Sequence, residues 1–232
     1  MQTRSKRYKK AVGMITAGKQ YSLEEAADLV RKFPGTKFNQ SVTLSFRMGV
    51  DPKKSDQMVR GTVPLPHGTG KSVRVAVFAQ GASADAAKAA GAEIVGYEDL
   101  IAKVKDGFTD FDVAIATPAA MNEVRKLGKQ LGPRGLMPNP RTGTVSDDTA
   151  GAVKAVKAGR ADFKLDKNGN IAAAIGKASF EPNALAENAH AFVDAVVRAR
   201  PASAKGRYVE TITMAATMSP AVRVDVSKYI KL

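Results

Sequence analysis

Val73-Arg74-Val75-Ala76-Val77-Phe78-Ala79 is apolar at six of its seven positions, and that density decides the fold. A strand with one wet face alternates apolar and polar side chains, whereas a run without alternation is covered on both faces. Asp112-Val113-Ala114-Ile115-Ala116 reads the same way, and Glu93-Ile94-Val95 supplies a short strand between them. Alanine-rich helices separate the three: Ser83 to Ala90, closed by Gly91, and Glu98 to Lys105, closed by Gly107. Strand–helix–strand–helix–strand implies a small parallel sheet with helices on both faces.

Outward from this centre the grammar changes in both directions. On the N-terminal side, Val42, Leu44, Phe46, Met48 and Val50 alternate with Thr43, Ser45, Arg47 and Gly49, the mark of a half-buried, antiparallel-type strand. Ser22-Leu23-Glu24-Glu25 before it is a capping box, and Leu23, Ala26, Ala27, Val30 and Phe33 follow at helical spacing. On the C-terminal side, Arg160–Leu165 and Ile171–Ile175 flank Asp166-Lys167-Asn168-Gly169-Asn170, whose Asn-Gly step predicts a β-hairpin. An amphipathic helix follows Pro182, with Leu185, Ala189, Phe192, Val193, Val196 and Val197 on one face, and stops before Pro201. Arg207–Thr213 and Val222–Val226 read as two more alternating strands.

The fold class expected is therefore α+β with an inserted α/β unit. Residues 1–67 and 160–232 form one discontinuous domain with an antiparallel sheet, and residues 68–159 form the inserted domain. Two glycine-containing crossings join them, near Gly68–Lys71 and near Gly159, which suits either a hinge or two ordinary surface turns.

Charge follows the same division. The chain of 232 residues carries a net charge of +14. Residues 1–70 hold 13 basic and 5 acidic side chains, residues 160–232 hold 11 and 7, and residues 71–159 hold 12 and 10. Basic ends around a near-neutral middle favour a polyanionic partner, because each neutralised phosphate releases condensed counterions. No apolar run approaches the roughly 18 residues of a spanning helix, so no membrane partner is expected. Basic Met1 to Lys10 leads into an apolar stretch too short for a secretory core, and zero cysteines exclude a disulfide framework. The chain reads as cytoplasmic.

Catalytic motifs do not survive scrutiny. Gly68-Thr69-Gly70-Lys71-Ser72 ends like a phosphate-binding loop, but Leu65 stands where its first glycine belongs, and a strand follows instead of a helix. Gly81-Ala82-Ser83 has one glycine where a dinucleotide turn needs three, and reads as a strand-to-helix turn capped by Ser83. His67 and His190 are the only histidines and do not pair as metal ligands. No metal, cofactor or catalytic residue is expected. A small α/β enzyme with a basic regulatory domain remains as the contrasting class, and no cofactor loop or polar constellation supports it.

Leu131-Gly132-Pro133-Arg134-Gly135-Leu136-Met137-Pro138-Asn139-Pro140-Arg141-Thr142-Gly143-Thr144-Val145 is a cationic loop stiffened by prolines. Its Arg134 and Arg141 suit a secondary phosphate contact, or the loop is simply a well-pinned connection. This segment resembles the signature of the ribosomal protein L-one family, the large-subunit proteins of the ribosome's lateral stalk. Collinear matches run along the chain: Lys37-Phe38, Asp56-Gln57 with Arg60-Gly61-Thr62-Val63, Leu65-Pro66-His67-Gly68, Gly176-Lys177-Ala178-Ser179-Phe180, Ala204-Lys205-Gly206 and Thr217-Met218-Ser219-Pro220. The bacterial branch fits best.

The resemblance implies a basic domain from both termini and an inserted Rossmann-like three-layer domain. It implies direct binding to large-subunit ribosomal RNA, as a monomer within the ribosome, in the mobile stalk at the tRNA exit site. There the stalk assists release of deacylated exit-site tRNA, and bacterial members also repress their own operon by binding its mRNA. The RNA-contacting residues it implies are Lys37, Phe38, Thr43, Lys177, Thr211, Thr217 and Met218. Without the resemblance, Phe38 and Met218 read as core. Ser219 stands where many relatives have glycine, and Asn39-Gln40 replaces acidic residues found in others.

Overall fold

The computed structural model describes residues 4–227 and residue 229, the side chain of Arg141 excepted. In chain order the elements are α1 (Lys6–Gly13), α2 (Leu23–Lys32), β1 (Ser41–Met48), β2 (Arg60–Pro64), β3 (Val75–Phe78), α3 (Ala82–Ala89), β4 (Ile94–Gly96), α4 (Glu98–Lys105) and β5 (Val113–Ala116). Then come α5 (Met121–Val124), α6 (Gly128–Leu131), α7 (Thr149–Ala158), β6 (Arg160–Lys164), β7 (Asn170–Lys177), α8 (Pro182–Arg198), β8 (Val209–Ala216) and β9 (Val222–Val224). The fold is mixed α/β with three sheets, ordered β7-β1-β8-β9, β2-β6 and β4-β3-β5. Contacts divide the chain into two compact units, one running to Gly70 and resuming at Ala161, the other Lys71–Arg160.

In the first unit β1 is central, antiparallel to both β7 and β8. Its even-numbered side chains Val42, Leu44, Phe46 and Met48 are buried, as the alternation requires. They pack with α2 and α8, whose buried stripes are Leu23, Ala26, Ala27 and Val30, and Leu185, Ala189, Phe192, Val193 and Val196. Phe192 is the keystone: its ring meets Phe46 at 5.5 Å and Phe163 of β6 at 5.7 Å, both edge-on. Phe163 in turn lies over Gly61 of β2, where an added Cβ would stand 2.7 Å from the ring. The capping box forms, with Ser22 Oγ accepting from Glu25 N at 3.1 Å and Ser22 N donating to Glu25 Oε2 at 3.3 Å.

Two local expectations need correction. The Asn168-Gly169 turn reverses the chain, with Asp166 N donating to Asn170 O at 2.8 Å, but no hairpin results. β6 pairs with β2 and β7 with β1, because each finds a longer-range partner in a different sheet. Ser83 does not cap α3; Gly81 holds that position without a side-chain bond, and the Ser83 carbonyl instead accepts from Thr149 Oγ1 at 2.7 Å. The late strands also shift, to Val209–Ala216 and Val222–Val224.

In the second unit β3 is parallel to β4 and β5. All four residues of β3 are buried, since alternate side chains enter two cores. Ala76 and Phe78 join Leu100, Val104, Val124 and Leu131 from α4, α5 and α6, while Val75 and Val77 join Ala87, Val153 and Val156 from α3 and α7. Helix–sheet–helix layering follows directly from the apolar run.

Candidate nucleic-acid interface

The face of β7-β1-β8-β9 opposite α2 and α8 carries only small or hydrophilic side chains. Three rows cross it in register: Ala174–Thr43–Ala215, Ala172–Ser45–Thr213 and Asn170–Arg47–Thr211. Arg223 of β9 extends the middle row beside Thr213. Such a surface is flat and rich in hydrogen-bonding groups, and nothing apolar on it calls for burial.

At the Thr43 end, groups from two other chain segments converge on Gln40 and Ser41. Lys177 Nζ donates to Ser41 Oγ at 2.8 Å. Ser41 N donates to Thr217 Oγ1 at 3.1 Å, and that hydroxyl lies 3.2 Å from Ser41 O. Gln40 is buried, and its Oε1 accepts from Met218 N at 3.1 Å. These bonds fix the 217–219 turn, yet the Met218 side chain remains 52% exposed and the Phe38 side chain 50% exposed. Two large apolar side chains, held open beside an ammonium group by a bonded backbone, suit a ligand with both flat apolar surface and negative charge. The core reading of Phe38 and Met218 is therefore set aside.

Five of the expected residues thus share one rim: Phe38, Thr43, Lys177, Thr217 and Met218. Lys37 is exposed immediately before Phe38. Thr211 lies on the same face but in the far row, four residues along β1 and about 13 Å away. Arg134 belongs to the second unit, with its guanidinium against Thr109 Oγ1. The Arg141 side chain lies outside the described residues. Ser219, the departure from glycine, closes the turn: its Oγ accepts from Ala216 N at 2.9 Å.

One part of the rim escaped sequence reading. Helix α1 buries only Ala11, so no apolar period announced it. Arg7 of α1 donates to Met218 O at 2.7 Å and to Pro34 O at 3.4 Å, tying the helix to the 217–219 turn. A groove of about 450 Å³ results, lined by Arg4, Ser5, Arg7, Tyr8, Thr217, Met218 and Ser219. The available signal was charge alone: five basic residues within the first ten.

Catalytic alternatives find no geometry here. Lys71 Nζ is engaged by Asp112 Oδ1 at 2.5 Å, so it is not presented to a phosphate. That hydrogen bond, with the Arg74 N–H, holds the Asp112 carboxyl below its ordinary value. Each histidine faces a single glutamate, His67 with Glu187 and His190 with Glu24. Among the described residues no group of three His, Cys, Asp or Glu is placed to hold a metal. Nor, among them, is any helix long and apolar enough to cross a membrane.

The ribosomal protein L1p/L10e family matches residues 30–220, a span that takes in parts of both units. The chain belongs to that family. It is 52% identical over 225 residues to the large ribosomal subunit protein uL1 of Corynebacterium glutamicum (strain R), covering 97% of this chain and 95% of the relative. The uL1 proteins of Beutenbergia cavernae, 52% identical over 228 residues, and of Corynebacterium aurimucosum, 53% over 227, are covered to 96% and 97% of their lengths. The family match begins at residue 30, so α1 lies before it.

Proposed function

We propose that the protein is a structural component of the large ribosomal subunit in the cytoplasm, not an enzyme, and that it binds ribosomal RNA directly through the Phe38–Lys177–Met218 rim. Near-full-length similarity to proteins of that subunit supports the placement. The observation that carries the site is the half-exposure of Phe38 and of Met218, the latter on a turn held by hydrogen bonds at its N–H and its carbonyl.

In this reading residues 1–67 and 160–232 are the RNA-binding domain, and residues 68–159 are the inserted Rossmann-like domain. Lys37, Phe38, Thr43, Lys177, Thr211, Thr217 and Met218 contact the RNA: the lysines meet phosphate, the threonines meet 2′-hydroxyls or base edges, and Phe38 and Met218 pack on bases or sugars. Arg134 and Arg141 make the secondary contact. The complex forms the mobile stalk at the tRNA exit site and assists release of deacylated tRNA. The same surface binds the operon's own mRNA and represses its translation. The test is filter binding of a large-subunit ribosomal RNA fragment to Phe38→Ala and Lys177→Ala variants. Each weakens binding about tenfold while ellipticity stays unchanged; unchanged affinity in both rejects the rim.

A further inference from the structure

Five cations of the Lys71–Arg160 unit pair with acids. Lys71 and Arg74 meet Asp110 and Asp112, Lys88 meets Asp85, Lys126 meets Glu123, and Lys157 meets Glu93. Four further cations lie about the end of α4, apart from Lys103 within that helix and Lys154 on α7. Lys105 ends α4, and Gln130 of α6 donates to its carbonyl at 2.8 Å, which brings the neighbouring Lys129 to the same place. Arg134 reaches Thr109 in the loop that follows α4. Arg125 lies on the turn packed against α4. All four are exposed, and Asp106 is the one acid in the α4 end itself.

Phe108 stands in that loop. Its backbone N–H donates to Lys103 O at 2.9 Å, which fixes the turn, while its ring leans on buried Phe111 at a centroid distance of 6.4 Å. The ring is nevertheless 36% exposed. Here the ring stays partly open beside a core phenylalanine, between Lys105 at the end of α4 and Thr109, which Arg134 reaches. An aromatic face supplies a stacking platform for an unpaired base, and the surrounding ammonium and guanidinium groups take the flanking phosphates.

We propose that Lys105, Phe108, Arg125, Lys129 and Arg134 form a second RNA interface, which takes an RNA loop by stacking one unpaired base on Phe108. The choice of RNA over other polyanions rests on the ribosomal reading above, while the site is separate from the Phe38–Met218 rim and is read out separately. It is deeper than a contact by Arg134 alone, because base stacking makes it prefer loops to paired helices.

The experiment is photocrosslinking of the full-length protein to a short RNA hairpin carrying 4-thiouridine in its loop, with crosslinked peptides assigned by mass spectrometry. Crosslinks in residues 103–134 report this interface, and those in residues 1–70 or 161–232 report the rim. The expected result is a crosslink at or beside Phe108 that falls at least fivefold in Phe108→Leu and at least tenfold in K105A/K129A/R134A, with terminal crosslinks unchanged and circular dichroism matching the parent. Lys105→Ala and Lys129→Ala singly give intermediate losses, so the outcome does not depend on the triple variant folding. A fully paired duplex with the same label gives little crosslink there. Absence of crosslinks in residues 103–134, or their persistence in both Phe108→Leu and the single lysine variants, overturns the proposal. Equal displacement by an oligoglutamate of matched charge also overturns it, since the patch is then a surface for acidic protein.

Discussion

Met218 presents about half its surface to solvent, whereas the Thr217 hydroxyl is occupied on both sides by the Ser41 backbone, so the two neighbours respond differently to substitution. Met218→Ala should weaken ribosomal RNA binding by roughly 1–2 kcal/mol through lost packing and leave the melting temperature within about a degree. Thr217→Val should weaken binding too, but it also unmakes the bond that holds the ends of β1 and β8 together. Roughly 0.5–1.5 kcal/mol of stability should go with it, read by urea unfolding. A Met218→Ala protein that melts early and binds normally per folded molecule would place that side chain in the core. A third residue-scale expectation concerns acid. The hydrogen bond from His190 lowers the Glu24 carboxyl from its ordinary 4.5 to about 2. A depressed folded-state value means the pair stabilises fully above about pH 4.5 and loses that contribution as pH falls towards 2. Since the Glu24 side chain is 62% exposed, solvent screening keeps the effect small. His190→Gln should flatten the decline of the urea midpoint between about pH 5 and pH 2.5; an unchanged slope assigns the acid sensitivity to other carboxylates, with Asp112 and Asp166 next in line.

At the scale of elements, α2 and α8 account for much of the first unit's stability, and their contributions separate cleanly. Ser22→Ala removes the capping box of α2 and should cost about 1 kcal/mol. Phe192→Ala opens a cavity between Phe46 and Phe163 and should cost roughly 3–5 kcal/mol in the same urea titration. Losses of similar size would mean that the aromatic cluster is not the centre of the core. Elements whose stability is local in origin were legible in the sequence: the Ser22–Glu25 cap, the doubly buried β3 and the period of α8 all survive in the structure. Elements that depend on distant partners were not. Nothing in Asn168-Gly169 says that the strands on either side leave for different sheets, because the turn specifies a reversal and not a partner. Helix α1 buries one residue and is anchored by Arg7 to carbonyls of Pro34 and Met218, so its placement is written in residues far along the chain. The interface shows the same split. The alternation of β1 put Thr43 on the open face, but the convergence of Gln40, Ser41, Lys177 and Thr217 depends on pairing between β1, β7 and β8.

For the whole molecule, the distribution of charge bears on how it binds and how it can be divided. The two end segments carry most of the net +14, so about five phosphate contacts with a slope of roughly −0.7 to −0.9 each are expected. A fourfold rise in salt should then weaken ribosomal RNA binding by roughly two orders of magnitude, and a flat response in filter binding rejects phosphate-driven association. The sharper test is separation of the two units. Sequence boundaries at 67 and 160 would cut the chain too early on one side. Buried Asn188 accepts from His67 N at 3.0 Å and donates to Gly68 O at 3.0 Å and to Ile175 O at 2.7 Å, so the stretch through Gly70 belongs with the first unit. Leu165 N donates to Val59 O at 2.8 Å, which sets the end of β6 beside the start of β2 and therefore the exit of β2 beside the entrance of β6. A short glycine-serine linker from Gly70 to Ala161 can bridge that end without disturbing the sheet. This joined protein should fold and bind the ribosomal RNA fragment within about threefold of the full chain, since it keeps the entire Phe38–Met218 rim. Residues 71–160 should fold alone, because helices on both faces bury β3 and β5 within the same unit. With 12 basic against 10 acidic side chains over residues 71–159, they should bind the same fragment at least a hundredfold more weakly. Circular dichroism establishes that each piece is folded before the three proteins are compared on one RNA at one salt concentration. If the joined piece is folded and fails to bind while residues 71–160 bind tightly, the principal RNA site lies in the inserted unit and the division of labour is reversed.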